Sequence, residues 1–527
     1  MILRDRIASG LKAKTVTKPS EYAQRYRVMP NGLFSFDNYP WAIAMHDAEN
    51  PLVICKKAAQ MGVTEAALNK VFYLIDYKGT SVLYILPTST PDATEFSSAR
   101  FDAALDCSEH LSNLFNDVRN VRHKRAGSAN LYIRGSRSRS QLKSVPVGFI
   151  VYDEFDEMPE ATFTLAQERM SGHTDKQSYI ISTPTIAGFG VDRYFKDSTQ
   201  DHFFFRCPCC GKMTELVFPD CVEMTGDSFD DKDLVKSFYK CKECKSRLKE
   251  NITIGEWVKG KDNINRGFYI NQLYSSTITP YELCYAYFKS LLSKVEEQEF
   301  YNSKIGITHE VKGARVTDED IASCVGSYHV FDNDYSADIV TMGVDIGGWC
   351  HVTIKKWKLK KTNSTDIHLN AIPQLIHYTK VLEYSELDQF MLQYNVNFCV
   401  IDAQPDTRKS KEFKNRHPGK VQLCYYTEST GKDLVESESS VKADRTCWLD
   451  LTLGRYKRKG ILLPLGLDEE YKTHIKSLVR SYERNKDGNP IVRYKNSDQD
   501  HYGHSDNYSE IGFSLALKNS GNRKTYR

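Results

Sequence analysis

Short apolar runs and helical patterns alternate between residues 39 and 185, and this alternation constrains the fold more than any other feature of the sequence. The first clear helical pattern covers residues 64–76. The runs that are typical of β-strands cover residues 52–55, 81–86, 147–152 and 179–182. Strands separated by helices generally pair in parallel, and the helices cover the sheet. The sequence therefore predicts an α/β domain built on a parallel sheet.

The turn after the first apolar run fits a phosphate-binding loop. Residues 53–69 read VICKKAAQMGVTEAALN, a strand followed by a one-glycine turn and a helix. In the pattern G-x-x-x-x-G-K-[ST], backbone N–H groups and the lysine bind phosphates, while the hydroxyl binds Mg²⁺. Gly62 and Thr64 fit this pattern, but Val63 takes the lysine position and Lys57 that of the first glycine. We predict that Lys57 supplies the phosphate-binding charge and that Gln60 also contacts ATP.

Two further apolar runs end in residues that suit ATP hydrolysis. Residues 149–154 read FIVYDE, a strand expected to carry Asp153 to Mg²⁺ and Glu154 to the attacking water. Residues 180–185 read IISTPT, which is typical of the motif that links hydrolysis to movement in helicase-like motors. Three such motifs in this order predict an ATPase.

A motor ATPase usually places an arginine at the γ-phosphate. The sequence offers several candidates and does not choose among them, although we carry Arg139 forward as the expected ATP contact. The candidates are Arg100, Arg134, Arg137 and Arg139.

Four cysteines have the spacing of a structural zinc site. They form two C-x₂-C pairs within an insertion expected over residues 202–258. Tetrahedral zinc prefers four thiolates at this spacing, and four protein ligands leave no position for a catalytic water. The predicted ligands are Cys207, Cys210, Cys241 and Cys244. Cys209 and Cys221 are spare, and either could replace one of them.

A second set of acidic residues occurs in the C-terminal part of the chain. Residues 341–349 read TMGVDIGGW and residues 397–402 read NFCVID, so Asp345 and Asp402 each end an apolar strand. Asp506 opens an expected helix. Three separated acids of this kind suit a nuclease that binds two metal ions. His504, Asp498 and Asp500 are alternative or supporting ligands.

Length and charge set the remaining expectations. A chain of 527 residues usually forms more than one domain, and a net charge of +3 means that any nucleic-acid surface is local. No apolar stretch is long enough for a membrane span, and the basic N-terminus lacks a secretory signal, so we expect a cytosolic protein. The expected divisions are a basic arm (1–35), an ATPase domain (36–330), a linker (331–338) and a nuclease domain (339–527).

Together these motifs resemble phage terminase large subunits, in particular the lambda-type, gpA-like family. The resemblance covers residues 39–516, and that family tolerates a lysine at the start of the phosphate loop, as in KAAQMGVTE. Other similar segments are IRGSRSRSQLKSVPVGFIVYDEFDEMPE, the CPxCG ribbon followed by GEW, RGFYINQLYS and FYNSKIG. The resemblance implies a P-loop (ASCE/RecA-like) ATPase domain with a zinc-ribbon insertion, followed by an RNase H-like α/β nuclease domain.

The resemblance also implies a function. The family packages double-stranded DNA into a procapsid with ATP and cuts concatemeric DNA, with Zn²⁺, Mg²⁺ or Mn²⁺ as metals. Its partners would be a portal protein, a small terminase subunit and further copies in a ring, all in the host cytoplasm. Asp345, Asp402 and Asp506 would hold the nuclease metals, although HSDNYSEIG lacks the family's alanine-rich helix.

Two other functions stay open from the sequence. One is a helicase-like or resolvase-like ATPase-nuclease that has no role in packaging. The other is a non-enzymatic zinc-ribbon DNA-binding assembly protein, which Val63 in the lysine position makes conceivable.

Overall fold

The computed structural model describes residues 16–143, 145–249, 254–330, 339–359, 371–428, 431–485 and 487–519. The chain divides into two compact units, Met1–Val311 and Lys312–Arg527. Within the described ranges, no helix combines the length and the apolar character that crossing a membrane requires.

The first unit contains the predicted parallel sheet. Its central strands follow the order β10-β15-β3-β9-β8-β4-β7, and each neighbouring pair in this series is parallel. Antiparallel strands extend it, with β11 and β14 beside β10, and β6 and β5 beyond β7. Strands β1 to β15 are Val28–Met29, Gly32–Leu33, Leu52–Lys57, Val82–Leu86, Val118–Asn120, His123–Ala126, Ala129–Gly135, Phe149–Asp153, Gln177–Ser182, Asp201–Arg206, Met213–Thr214, Val222–Glu223, Phe238–Tyr239, Glu256–Val258 and Arg266–Ile270.

Helices cover both faces of this sheet, because consecutive residues of its strands enter different cores. In β3, Val53 and Cys55 lie in one buried cluster, whereas Ile54 lies in another. Burial on both faces explains why the strands are continuous apolar runs. The helices of this unit are Pro19–Tyr26, Ala42–Asp47, Val63–Lys78, Ala103–Cys107, Glu109–Leu114, Thr162–Gln167, Gly190–Lys196, Pro280–Ser290 and Lys294–Glu299.

The N-terminal segment departs from the expected arm. Helix Pro19–Tyr26 packs on helix Val63–Lys78, and the buried Tyr22 donates a hydrogen bond to Asp76 at 2.8 Å. This part of residues 1–35 therefore belongs to the folded first unit and is not an arm. Residues 1–15 of the expected arm lie outside the described residues.

The second unit contains a seven-stranded mixed sheet with the order β18-β17-β16-β19-β20-β22-β21. Strands β16 to β18 form an antiparallel meander, and β16, β19, β20 and β22 are parallel. This is the arrangement expected of an RNase H-like fold. A separate hairpin pairs β23 with β24. Strands β16 to β24 are Ile339–Ile346, Cys350–Leu359, Ala371–Val381, Phe398–Asp402, Val421–Thr427, Val435–Glu436, Ser440–Asp444, Leu478–Arg484 and Pro490–Asn496.

The longest helix of this unit, His501–Asn519, packs across β16, β17 and β19. The unit begins earlier than expected, since Val316 and Ile321 share a buried cluster with its C-terminal residues. The linker expected over residues 331–338 lies outside the described residues. The helices are Asp318–Ser323, Tyr384–Gln393, Thr407–Arg416, Arg445–Lys457, Glu469–Ser477 and His501–Asn519.

Candidate functional site

The predicted phosphate loop joins the end of β3 to helix Val63–Lys78. Its turn needs left-handed backbone, with φ of 60° at Gln60 and 73° at Gly62. Two N–H groups hold it to neighbouring segments: Ala58 donates to Ile270 at 2.9 Å and Ala59 donates to Ser303 at 2.7 Å. The loop is therefore positioned by β15 and by the segment Phe300–Ile305, and the helix N-terminus behind it can bind phosphate.

The two residues at the start of this helix differ in orientation. Val63 is buried, so the position that usually carries lysine faces the core, whereas Thr64 is only half-buried. The first turn also carries Glu65, which forms ion pairs with Arg27 at 2.9 Å and with Arg100 at 3.0 Å. Arg100, one of the arginine candidates, thus has an acidic partner at the start of the helix.

Asp153 and Glu154 lie at the carboxyl end of β8, the same edge of the sheet as Lys57. The buried Asp153 accepts a hydrogen bond from Tyr84 at 2.7 Å. The Glu154 side chain reaches solvent from left-handed backbone with a φ of 60°. Partial desolvation of the carboxyl group and the charge of Asp153 raise the pKa of Glu154, and the charge of Lys57 opposes that rise. These three charges therefore act on one another at this edge, where a divalent cation would favour both carboxylates.

Asp156 is a functional candidate that the sequence reasoning missed. Its buried carboxylate accepts hydrogen bonds from Thr185 N–H at 3.0 Å, Thr185 Oγ1 at 2.8 Å and Val191 N–H at 2.7 Å. The Asp156 N–H donates to Ser182 Oγ at 3.0 Å. Asp156 thus ties the acidic strand end to the IISTPT segment. The second aspartate of the run DEFDE was the available signal.

The arginine candidates differ in their surroundings. Arg134 donates to the carbonyl of Arg122 at 2.6 Å and lies over the Tyr132 ring. Arg137 and Arg139 are exposed in the segment that follows β7. The assignment of Arg139 to ATP remains a prediction.

The four predicted zinc ligands converge in the insertion. The sulfur atoms of Cys207, Cys210, Cys241 and Cys244 all lie within 4.8 Å of one another. Each pair sits on a tight turn, in which Gly211 N–H donates to the Cys207 carbonyl at 2.9 Å and Lys245 N–H donates to the Cys241 carbonyl at 3.0 Å. This four-thiol group is compatible with zinc. The spare Cys209 lies outside it, since its sulfur accepts a hydrogen bond from Ser246.

In the second unit, Asp345 and Asp402 lie on the adjacent parallel strands β16 and β19. Asp345 pairs with His501, with Oδ2 and Nδ1 2.8 Å apart. Burial and the nearby charge of Asp345 raise the pKa of Asp402 to about 7. An acid whose charge is disfavoured by a second acid at a buried edge is suited to share a cation with it.

The structure does not bring Asp506 to this pair, which corrects the sequence prediction. The Asp506 side chain is fully buried and its Oδ1 lies 2.8 Å from Nζ of Lys355, which is also fully buried. Tyr456 donates a hydrogen bond to the other carboxylate oxygen at 3.1 Å. Asp506 is therefore already neutralised inside the domain and has a structural role.

Asp500, one of the alternative or supporting ligands, lies beside a histidine whose charge also acts on Asp402. It directly precedes helix His501–Asn519, and its Oδ2 lies 3.1 Å from Nε2 of His504. Burial alone would raise the pKa of Asp500. The charges of His504 and Arg445 outweigh that effect and lower the pKa to about 2. His504 also opposes the raised pKa of Asp402, so it acts on both carboxyl groups. The alternative Asp498 is exposed.

Removing the charge partner of Asp506 should destabilise the second unit. Lys355→Met leaves a buried carboxylate without its cation, which typically costs about 3–5 kcal/mol. We expect a lower free energy of unfolding in a denaturant titration. Lys358→Met is the control, because Lys358 lies on the same strand and is exposed. Equal stability of the two variants would contradict the structural role of Asp506.

Part of the first unit matches a known protein family. Residues 30–261 match the family model "Phage terminase large subunit gpA, ATPase domain". A comparison with curated proteins gives no match. The large terminase of bacteriophage HK97 has a similar fold, with a TM-score of 0.53 at 8% identity over 95% of this chain and 98% of that chain.

A second solved structure, the large terminase of a thermophilic bacteriophage, aligns with a TM-score of 0.33 at 10% identity over 90% of this chain and 98% of that chain. The match to the ATPase-domain model includes the phosphate loop, the Asp153-Glu154 strand end and the four cysteines. Over residues 30–261, the chain is therefore similar to the ATPase domain of the gpA family of phage terminase large subunits.

Proposed function

We propose that this chain is the motor and nuclease subunit of a viral DNA-packaging machine. It would couple ATP hydrolysis to the translocation of double-stranded DNA into a procapsid and would cut concatemeric DNA. The observation that carries the proposal is the placement of Lys57, Asp153 and Glu154 at one edge of the parallel sheet, in a domain similar to the ATPase domain of the gpA family.

In the ATPase site, we assign the triphosphate to the loop before helix Val63–Lys78. Lys57 and Gln60 would contact the phosphates, with Gly62 allowing the close backbone approach. Asp153 and the Thr64 hydroxyl would hold Mg²⁺, which when bound neutralises the developing charge on the phosphates. Glu154, which reaches solvent, would accept a proton from the attacking water and orient it.

In the nuclease site, we assign the metal ligands as Asp345, Asp402 and Asp500. The raised pKa of Asp402 beside Asp345 supports this set, since a divalent cation would favour the charged form of Asp402. Bound Mg²⁺ or Mn²⁺ supplies an activated water and stabilises the leaving oxygen of a phosphodiester. His501 would hold Asp345 in place through its hydrogen bond, and His504 would do so for Asp500.

We propose that the four-cysteine group binds structural Zn²⁺. Cys241→Ser should remove bound zinc and unfold the insertion, because a structural zinc site contributes much of the folding free energy of such a small module. Metal analysis of the purified protein measures the loss. Cys209→Ser should retain zinc, since Cys209 lies outside the group. Zinc that is retained in Cys241→Ser and lost in Cys209→Ser would contradict the ligand set.

The partners follow from the proposed role. They are double-stranded DNA, a portal protein, a small terminase subunit and further copies of the chain in a ring, in the cytoplasm of the infected host. A helicase-like role without packaging and a non-enzymatic assembly role are less well supported. The second is disfavoured because Asp153 and Glu154 are both in place at the strand end.

ATP hydrolysis with and without linear duplex DNA tests the motor assignment. We expect turnover that DNA stimulates and that Lys57→Ala abolishes, because the variant lacks the charge assigned to the phosphates. Lys78→Ala is a matched control at the exposed end of the adjoining helix. If Lys57→Ala retains DNA-stimulated ATP hydrolysis, the assignment of this lysine to the phosphates is wrong.

A further inference from the structure

One exposed tryptophan lies beside the carboxylates of the second unit. Trp349 is 43% exposed, whereas Trp41, Trp357 and Trp448 are at most 1% exposed. The remaining tryptophan, Trp257, is partly buried and donates a hydrogen bond to a backbone carbonyl. Trp349 is thus the most exposed of the five tryptophans, and its indole ring is available to a ligand or partner.

The turn that carries Trp349 places it close to Asp345. In the hairpin of β16 and β17, Asp345 is opposite His351 and Ile346 is opposite Cys350, so only Gly347, Gly348 and Trp349 form the turn. Trp349 is four positions after Asp345, which limits the distance between their Cα atoms to about 14 Å. A Cβ at Gly347 would lie 3.2 Å from the His501 ring, so a glycine there also lets the turn pass close to this histidine.

The surroundings of Trp349 combine apolar surface with positive charge. Lys380 lies over the indole, with Nζ 6.0 Å from the ring centroid. Cys350, which follows Trp349, is opposite Val381, and the 55% exposed Leu382 directly follows Val381. Lys380 also pairs with Glu470 at 2.7 Å, which holds the ammonium group in position. The rim of the carboxylate site thus offers a flat ring, an aliphatic neighbour and a cation.

We propose that Trp349 stacks on an unpaired or frayed DNA base next to the phosphodiester that the second unit cuts. This inference rests on the proposed nuclease function and names a contact that positions its substrate. An indole can stack only on a base whose face is free, and such stacking is tolerant of base identity. The ring would therefore favour DNA that is locally unpaired near the cut, with Lys380 beside it favouring the phosphate backbone.

Tryptophan fluorescence tests the contact without any cleavage. In the full chain carrying Asp402→Asn, short oligothymidylate should quench the emission, because a base stacked on an exposed indole quenches it. Trp349→Leu should remove most of this quenching and weaken binding by about 10-fold, while the thermal midpoint stays unchanged. Binding measured by anisotropy of labelled DNA should be largely retained in Trp349→Phe, which keeps an aromatic ring. Equal quenching and equal affinity in the parent and in Trp349→Leu would overturn the inference.

Cleavage of matched duplexes separates this inference from the nuclease assignment. Wild-type protein should cut a duplex with one unpaired base faster than a fully paired one, and Trp349→Leu should lose this preference. If Trp349→Leu still cuts the duplex with the unpaired base faster, the nuclease assignment stands and the proposed role of Trp349 is wrong. If the wild-type chain cuts neither duplex, the nuclease assignment fails, whereas the fluorescence measurement still decides whether the ring contacts DNA.

Discussion

Glu154→Gln is expected to reduce ATP hydrolysis by about 10²- to 10⁴-fold, the range over which a positioned general base usually acts. The amide has the same shape as the carboxylate but cannot accept the proton of the attacking water. Glu154 also occupies left-handed backbone at the end of β8, and glutamine adds no branching there that would increase strain. ATP should therefore still bind, and a fluorescent ATP analogue should show an affinity close to that of the wild-type chain.

Glu157→Gln provides the control for this variant. It removes one negative charge from the same acidic run, and Glu157 is exposed three residues further on. DNA-stimulated hydrolysis should be nearly unchanged. If Glu154→Gln retains hydrolysis and Glu157→Gln loses it, the general base is Glu157 and not Glu154. DNA cleavage should persist in both variants, since the proposed nuclease residues belong to the second unit.

Asp402→Asn is expected to reduce metal-dependent DNA cleavage by about 10³-fold. A catalytic metal contributes several kcal/mol of transition-state stabilisation, and an amide is a much weaker ligand than a carboxylate. The rate is measured as conversion of supercoiled plasmid in Mg²⁺ and in Mn²⁺. Asp433→Asn is the control, because Asp433 is an exposed acid of the same unit. If Asp402→Asn cleaves DNA at the wild-type rate, Asp402 is not a ligand of the catalytic metal.

The same change should not lower the stability of the metal-free protein. The pKa of Asp402 is about 7 in the folded chain and 3.8 is its ordinary value, so the folded state binds the proton more tightly. The charged carboxylate therefore costs stability as the pH rises from about 4 to 7, and this cost is fully present above pH 7. Asp402→Asn should raise the thermal midpoint at high pH and have little effect at low pH. A lower midpoint at high pH would contradict the repulsion inferred between Asp345 and Asp402.

The strand ends could be predicted from the sequence because they depend on local pattern. Lys57, Asp153 and Asp402 each follow an apolar run, and a parallel sheet brings the carboxyl ends of its strands to one edge. The cysteine spacing likewise predicted the four-thiol group, since each pair sits on a short turn. What the sequence did not contain was the choice among neighbouring acids.

Asp500 and Asp506 illustrate why that choice failed. They are six residues apart near the start of one helix, and the depth of the helix in the domain decides that Asp506 is fully buried and Asp500 is not. The partner that neutralises Asp506 is Lys355, 151 residues away on β17. Helix Pro19–Tyr26 was missed for the same reason, because its burial depends on distant contacts such as that of Tyr22 with Asp76.

The short segment Phe300–Ile305 touches both sides of the ATPase site. The Ser303 carbonyl accepts a hydrogen bond from Ala59 in the phosphate loop, and the Asn302 side chain donates to Thr185, whose own hydroxyl and N–H donate to Asp156. The adjacent residues Asn302 and Ser303 thus contact the IISTPT segment and the phosphate loop, respectively. A rearrangement at one side of the bound nucleotide can therefore reach the other side through this short, largely buried segment, without any distortion of the sheet.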